Sequence, residues 1–179
     1  MSVNDDLPWI APVLELIRRA DAAGIPVIGH CLGGQLMSRA FGGSVGAHPV
    51  KEIGWGDVTK VPSATADEWL GEIGSFLGFH WHGETFTMPP GAVRILESAH
   101  CANQCFVRGP HLGMQCHVEM TPTMIAGWCV SGADEMAAVA HQPSVQAPDA
   151  MQLDMESRIA GLRLAADRLY TRWVAGLGG

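Results

Sequence analysis

The stretch Val27-Ile28-Gly29-His30-Cys31-Leu32-Gly33-Gly34-Gln35 decides the reading of the fold. Residues 25–29 form a short apolar, β-branched run, the pattern of a strand buried on both faces. Residues 32–41 read as a helix closed by Gly42-Gly43. Between them stands a cysteine with a glycine two positions before it and another two positions after it. A strand that turns sharply into a helix crowds its own backbone, so the flanking side chains must be small. The turn lifts its central side chain above the sheet edge, with cysteine here in the place a serine often takes. The helix that follows aims its N–H groups at the sulfur, which favours thiolate. The Leu32 N–H can donate to an oxyanion.

Outward from that turn, residues 8–23 have apolar positions at Ile10, Val13, Leu14 and Ile17, which is helical spacing. Asp5 or Asp6 is a plausible cap and Gly24 a stop. Helix, buried strand and helix in succession predict an α/β layered fold with a mainly parallel sheet flanked by helices. The middle of the chain changes character. SVGAH, GDVTKV, FLGFHWH, AVRILES, QCFVRG and HLGMQCHVE are short strand-like runs separated by turn signals such as Pro89-Pro90-Gly91 and Gly109-Pro110. Thr121-Pro122 opens a helix through about Val130. After a Pro- and Gln-rich connection near 142–148, residues 149–177 read as one long amphipathic helix with Leu153, Ile159, Leu162, Leu169 and Trp173 on its apolar face. There is no internal repeat, and residues 1–179 read as a single domain.

Composition narrows the classes. The 179 residues are 47% hydrophobic and 16% charged, an ordinary globular balance. Net charge is -7 and only two lysines occur, Lys51 and Lys60, so no basic stripe exists to hold nucleic acid. No run of eighteen apolar residues suggests a membrane span. The start, Met1 to Asp6, is polar and acidic, unlike a secretion signal. Five irregularly spaced cysteines suit free thiols in a reducing compartment, so the cytoplasm is expected.

A cysteine nucleophile needs a base and a group that holds the base. Gly113-Met114-Gln115-Cys116-His117-Val118-Glu119 supplies both. On an extended segment His117 and Glu119 share a face, so Glu119 can fix one ring nitrogen while the other faces Cys31. His80 and His82 also share a face, and Cys101 and Cys105 are spaced Cys-x3-Cys. With no second tight pair this is a weak zinc pattern, and structural or substrate-lining roles are favoured. No metal and no cofactor are expected.

Taken together, MSVNDDLPWI, GIPVIGHCLGGQL, FHWHGETF, PPGAVRILESA, NQCF and GMQCHVEMTP resemble class I glutamine amidotransferases. The likeness is greatest to stand-alone proteins related to the amidotransferase domain of GMP synthase. The resemblance implies a flavodoxin-like fold and a Cys-His-Glu triad: Cys31 as nucleophile, His117 as base, Glu119 as orienter. It implies that Gln35 helps hold bound glutamine. Trp81-His82-Gly83-Glu84 would be a turn whose backbone binds the amino-acid end, giving Trp81, His82 and Gly83 substrate-binding roles. The chain departs from the family in having His117-Val118-Glu119 where His-Pro-Glu is usual. Family members also begin with two or three further strands and a helix ending in a Gly-rich turn. The chain is thus expected to be N-terminally incomplete, without central strands and one oxyanion N–H.

The activity implied is cleavage of the γ-amide of glutamine through a γ-glutamyl thioester. The chain has no Gly-x-x-x-x-Gly-Lys loop, so an ammonia-accepting synthetase would be a separate chain. Two rivals stand beside this reading: a γ-glutamyl peptide or amide hydrolase without an ammonia acceptor, and a non-catalytic binding module.

Overall fold

The computed structural model describes residues 1–178. Helix α1 spans Ile10–Ala22 and is stopped at Gly24, whose φ of 69° suits a residue without Cβ. No side chain caps its start; Asp5 instead accepts from the Ser2 N–H. Strand β1 is Ile28–His30 and helix α2 is Leu32–Ala40, joined at Cys31 as the sequence suggests. Strand β2 (Val45–Lys60) absorbs both SVGAH and GDVTKV into one long arm. Helix α3 (Ala64–Leu70), capped by the Ser63 hydroxyl, links it to β3 (Ser75–Phe86). Strands β4 (Val93–Ser98), β5 (Cys105–Arg108) and β6 (His111–Met114) follow. Helix α4 (Pro122–Ser131) is capped by Thr121, and α5 (Ala133–Val139) and α6 (Pro148–Gln152) lead to α7 (Met155–Ala175).

The six strands form one sheet in the order β1-β6-β5-β4-β2-β3. The α/β class with flanking helices holds, but the strand sense is mixed. Among the described strands only β1 and β6 pair in parallel, and the other strand pairs are antiparallel. The reason is local. Parallel neighbours need a long crossover, whereas α3 and the turn at Gly109-Pro110 return the chain alongside the strand it has just left, and the turn at Pro89-Pro90-Gly91 carries it past β2 to that strand's other edge. The sheet also curls. His117, beyond the end of β6, exchanges backbone hydrogen bonds with Phe79 on β3 at 2.8 and 3.2 Å. The segment expected to be strand through Glu119 therefore leaves β6 and crosses to the far side of the half-barrel.

Two apolar clusters cover the sheet. One gathers Trp69, Phe79, Leu112, Leu162 and Leu169; the other gathers Val3, Ile10, Leu14, Phe86 and Phe106. The expected C-terminal helix is split. Asp154 takes φ 51° between α6 and α7, and Leu153 is 59% exposed, while Ile159, Leu162 and Leu169 are buried as the periodicity requires. Among the described residues, no helix is long and apolar enough to cross a membrane.

The glycines around Cys31 set the distance between α2 and the sheet. A Cβ on Gly34 would lie 2.3 Å from the Met114 carbonyl oxygen, and one on Gly29 would lie 2.5 Å from the Gly33 carbonyl carbon. A Cβ on Gly33 would meet nothing within 4 Å. Gly34→Ala is therefore expected to cost about 3 kcal/mol in urea unfolding, since the obstacle is backbone. Gly33→Ala is expected to stay within about 1 kcal/mol of the parent.

Candidate active site

Cys31 has φ 48° and ψ -108°, a conformation that L-residues rarely adopt. Holding it costs on the order of 1–3 kcal/mol. The packing of Gly29 on Gly33 and of Gly34 on β6 holds the turn in that shape. The sulfur is partly exposed. It donates to the Trp81 carbonyl at 3.7 Å and accepts from Gln115 Nε2 at 3.6 Å. The first N–H groups of α2, Leu32 among them, have no partner in the helix and open beside the sulfur.

His117 and Glu119 come together as the two-residue spacing suggests: Nδ1 lies 2.5 Å from Glu119 Oε1. The ring is buried, and its Nε2 has no partner within hydrogen-bonding geometry. Burial alone would lower its pKa. The Cys31 sulfur and then the Glu119 carboxylate outweigh that and raise it to about 9. The Phe79 backbone bridge fixes the main chain of His117, and the Trp128 indole packs edge-to-face on its ring at 4.9 Å. Glu119 meets a second histidine as well. His30 Nε2 lies 3.6 Å from Oε2 and 2.9 Å from the hydroxyl of Tyr170, which α7 carries. Burial lowers the His30 pKa against the pull of Glu119.

On one side of Cys31 lies a polar pocket of about 460 Å³. Leu32, Gln35, Trp81, His82, Gly83 and Glu84 all border it. The 81–84 segment, expected as a turn, is part of β3 and faces a bulge. The register passes from Ala47↔Glu84 to Glu52↔His82, so residues 48–51 loop out opposite Gly83. Lys51 folds over Gly83, where a Cβ would sit 2.9 Å from its side chain. Lys51 pairs with Glu135 of α5, which also accepts from Trp81 Nε1 at 3.0 Å. Gln35 donates to the Glu84 carbonyl at 3.3 Å and to Gln115 Oε1 at 3.1 Å, tying α2 to β3.

His82 turns its ring inward. Nδ1 meets the Glu84 carbonyl and Nε2 meets Glu52 Oε2, each at 3.0 Å. Ser98 and Gln104 donate to the same carboxylate, and its pKa falls to about 2: burial would raise it, but the His82 hydrogen bond and the nearby histidines prevail. Burial pulls the His80 ring down to about 4. Glu52, His82 and Cys101 each bring a metal-ligating atom within 4.8 Å of the others. Their chemistry fits a hydrogen-bonded network better than an ion. Both His82 nitrogens face oxygen acceptors, both Glu52 oxygens are taken, and burial pushes the Cys101 thiol up. Cys105 lies fully buried in the larger core.

Sequence reasoning missed Gln115, Glu135 and Tyr170. Gln115 carries a usable signal, because Gln115, His117 and Glu119 alternate along one extended segment. Tyr170 is the only tyrosine and lies more than fifty residues beyond His117 and Glu119, so nothing local marks it.

Comparisons with known proteins point to one family. The family model described as glutamine amidotransferase class-I matches residues 4–126. A protein named glutamine amidotransferase-like, YfeJ of Salmonella typhimurium, is 34% identical over 140 residues, covering 76% of this chain and 59% of its own. A GMP synthase [glutamine-hydrolyzing] of Colwellia psychrerythraea is 31% identical over 110 residues, covering 56% of this chain and 21% of its own. The chain thus spans less than two thirds of the length of these relatives. Among solved structures, a glutamine amido transferase from Methylobacillus flagellatus superposes with a TM-score of 0.94 at 47% identity, covering 99% of this chain and 73% of that one. A glutamine amidotransferase from Thermotoga maritima superposes at 0.85 with 28% identity, covering 97% and 74%. With a family model that spans most of its length and an elbow cysteine beside a His–Glu pair, the chain belongs to the class I glutamine amidotransferase family.

Proposed function

We propose that the chain cleaves the γ-amide of glutamine or a γ-glutamyl compound, with Cys31, His117 and Glu119 as a catalytic triad. The observation that carries this reading is the strained elbow cysteine whose neighbouring imidazole is already bonded to a carboxylate. Cys31 thiolate attacks the γ-carbonyl carbon. The Leu32 N–H donates to the oxyanion that forms. His117, held protonated by sulfur and carboxylate, gives its proton to the leaving nitrogen as the C–N bond breaks. A γ-glutamyl thioester remains. His117 then takes a proton from water, which attacks the thioester and releases glutamate and the thiolate.

The polar pocket supports a zwitterionic acyl group. Lys51 offers a cation for an α-carboxylate and Glu135 an anion for an α-ammonium group. Gln35 acts through the Glu84 carbonyl and Gln115 to hold the pocket wall. Relatives named as glutamine-hydrolysing GMP synthases support glutamine as the amide donor, and a separate synthetase as an ammonia acceptor.

Cys31→Ser is expected to lower glutamate release from glutamine by at least about 10³-fold. Intact protein mass after a glutamine-like electrophile should show one adduct on the parent and none on the variant. Undiminished hydrolysis by Cys31→Ser would remove Cys31 as the nucleophile, and no hydrolysis and no adduct on the parent would leave the binding-module reading.

The alkaline limb of kcat/KM is expected near pH 9, where His117 loses the proton it must donate. Glu119→Gln removes a group that raises that value, so the limb should move to lower pH. Activity at its own optimum should fall by about 10²–10⁴ as the ring loses its fixed tautomer. A limb that stays near 9 in Glu119→Gln would remove Glu119 from the triad.

A further inference from the structure

The two sides of Cys31 differ in chemistry. The polar pocket holds Gln35, Lys51 and Glu84 but not His117. His117 borders instead a second, mainly apolar cleft of about 700 Å³, walled by Leu32, Trp81, Trp128, Ser131 and Gly132, with Met1, His30 and Glu135 at its edge. The proton donor for the leaving nitrogen therefore stands on the apolar side, and the leaving group must depart there. Ammonia is about the size of water and needs roughly 30 Å³. The cleft is more than twenty times larger and falls in the range of sites for drug-sized ligands.

The aromatic wall is built rather than incidental. The Trp81 and Trp128 rings meet edge-to-face with centroids 5.8 Å apart. Trp81 rests on Gly132, where a Cβ would fall 2.2 Å from the indole, and its Nε1 donates to Glu135. Trp128 is wedged between the rings of Phe79 and His117. Both indoles are held in place, so ordering them on binding costs little.

We propose that this cleft takes an apolar or aromatic amine, making N-substituted γ-glutamyl amides better substrates than glutamine itself. This rests on the triad reading above and names its substrate class. Cys31 sulfur displaces R–NH from the γ-carbon, and His117 supplies the proton that completes R–NH2. Water then cleaves the thioester, so one amide and one water give glutamate and the amine.

The test compares glutamine with γ-glutamyl-benzylamide on the full chain. Benzylamine is close to ammonia in basicity, so the comparison reads binding of the ring and not leaving-group chemistry. The kcat/KM for the benzylamide is expected to exceed that for glutamine by at least about tenfold. Ser131→Trp, which fills the cleft, should lower that ratio by about tenfold or more. Glutamine hydrolysed as well as or better than the benzylamide by a Cys31-dependent route overturns the inference and leaves the triad standing. Hydrolysis of neither substrate overturns both. A ratio unmoved by Ser131→Trp, in a variant with parental unfolding, places the amine elsewhere and also overturns the inference.

Discussion

The backbone between β1 and α2 must pass through a conformation that an L-residue resists, and it does so at Cys31. Only close packing makes that tolerable. Gly29 lets the first turn of α2 fold back over β1, and Gly34 lets the same helix touch the β6 backbone. Neither contact survives a methyl group without the helix moving. Because β6 also leads into His117, one set of glycine contacts fixes both the height of the sulfur and its distance from the imidazole. The site depends on this spacing more than on any single hydrogen bond.

The remaining geometry comes from curling the sheet. A flat sheet in the observed order would put β3 far from β1 and β6. The backbone bonds between Phe79 and His117 bring β3 round to the same end, so the Trp81 carbonyl reaches Cys31. The bulge opposite Gly83 then frees a stretch of β3 and turns Lys51 over it. The buried Glu52–His82 pair anchors that bulge from beneath. Burying a carboxylate is costly unless it is fully bonded, and Glu52 accepts from His82, Ser98 and Gln104 together.

The parts of this arrangement that were legible in sequence are those with short periods. The glycines around Cys31 and the two-residue spacing of His117 and Glu119 are local patterns with a steric meaning. Strand sense was not legible, because the helix–strand–helix opening suggests parallel neighbours while the later turns enforce antiparallel ones. The bulge was only half visible: Pro49 cannot donate to a ladder and marks an interruption, but nothing local says that the chain loops out and then resumes pairing with the same strand. The break before α7 was hidden. Leu153 continues the apolar period of that helix, yet Asp154 adopts φ 51° and turns Leu153 out to solvent. Tyr170 shows the limit most plainly. Its periodicity places it on α7, but only the folded chain sets its hydroxyl beside His30 and Glu119.

The contacts around the His117–Glu119 pair reach the C-terminal helix. Glu119 faces His117 through one oxygen and His30 through the other, and α7 holds His30 through Tyr170. A neutral His30 bonds the tyrosine hydroxyl and stands 3.6 Å from the second Glu119 oxygen, so it leaves the carboxylate charged. A charged His30 would compete with His117 for the same anion and weaken its hold on the proton. Burial keeps His30 on the neutral side of that balance. The helix that carries Tyr170 thus fixes the second histidine beside Glu119 while the first holds the other carboxylate oxygen.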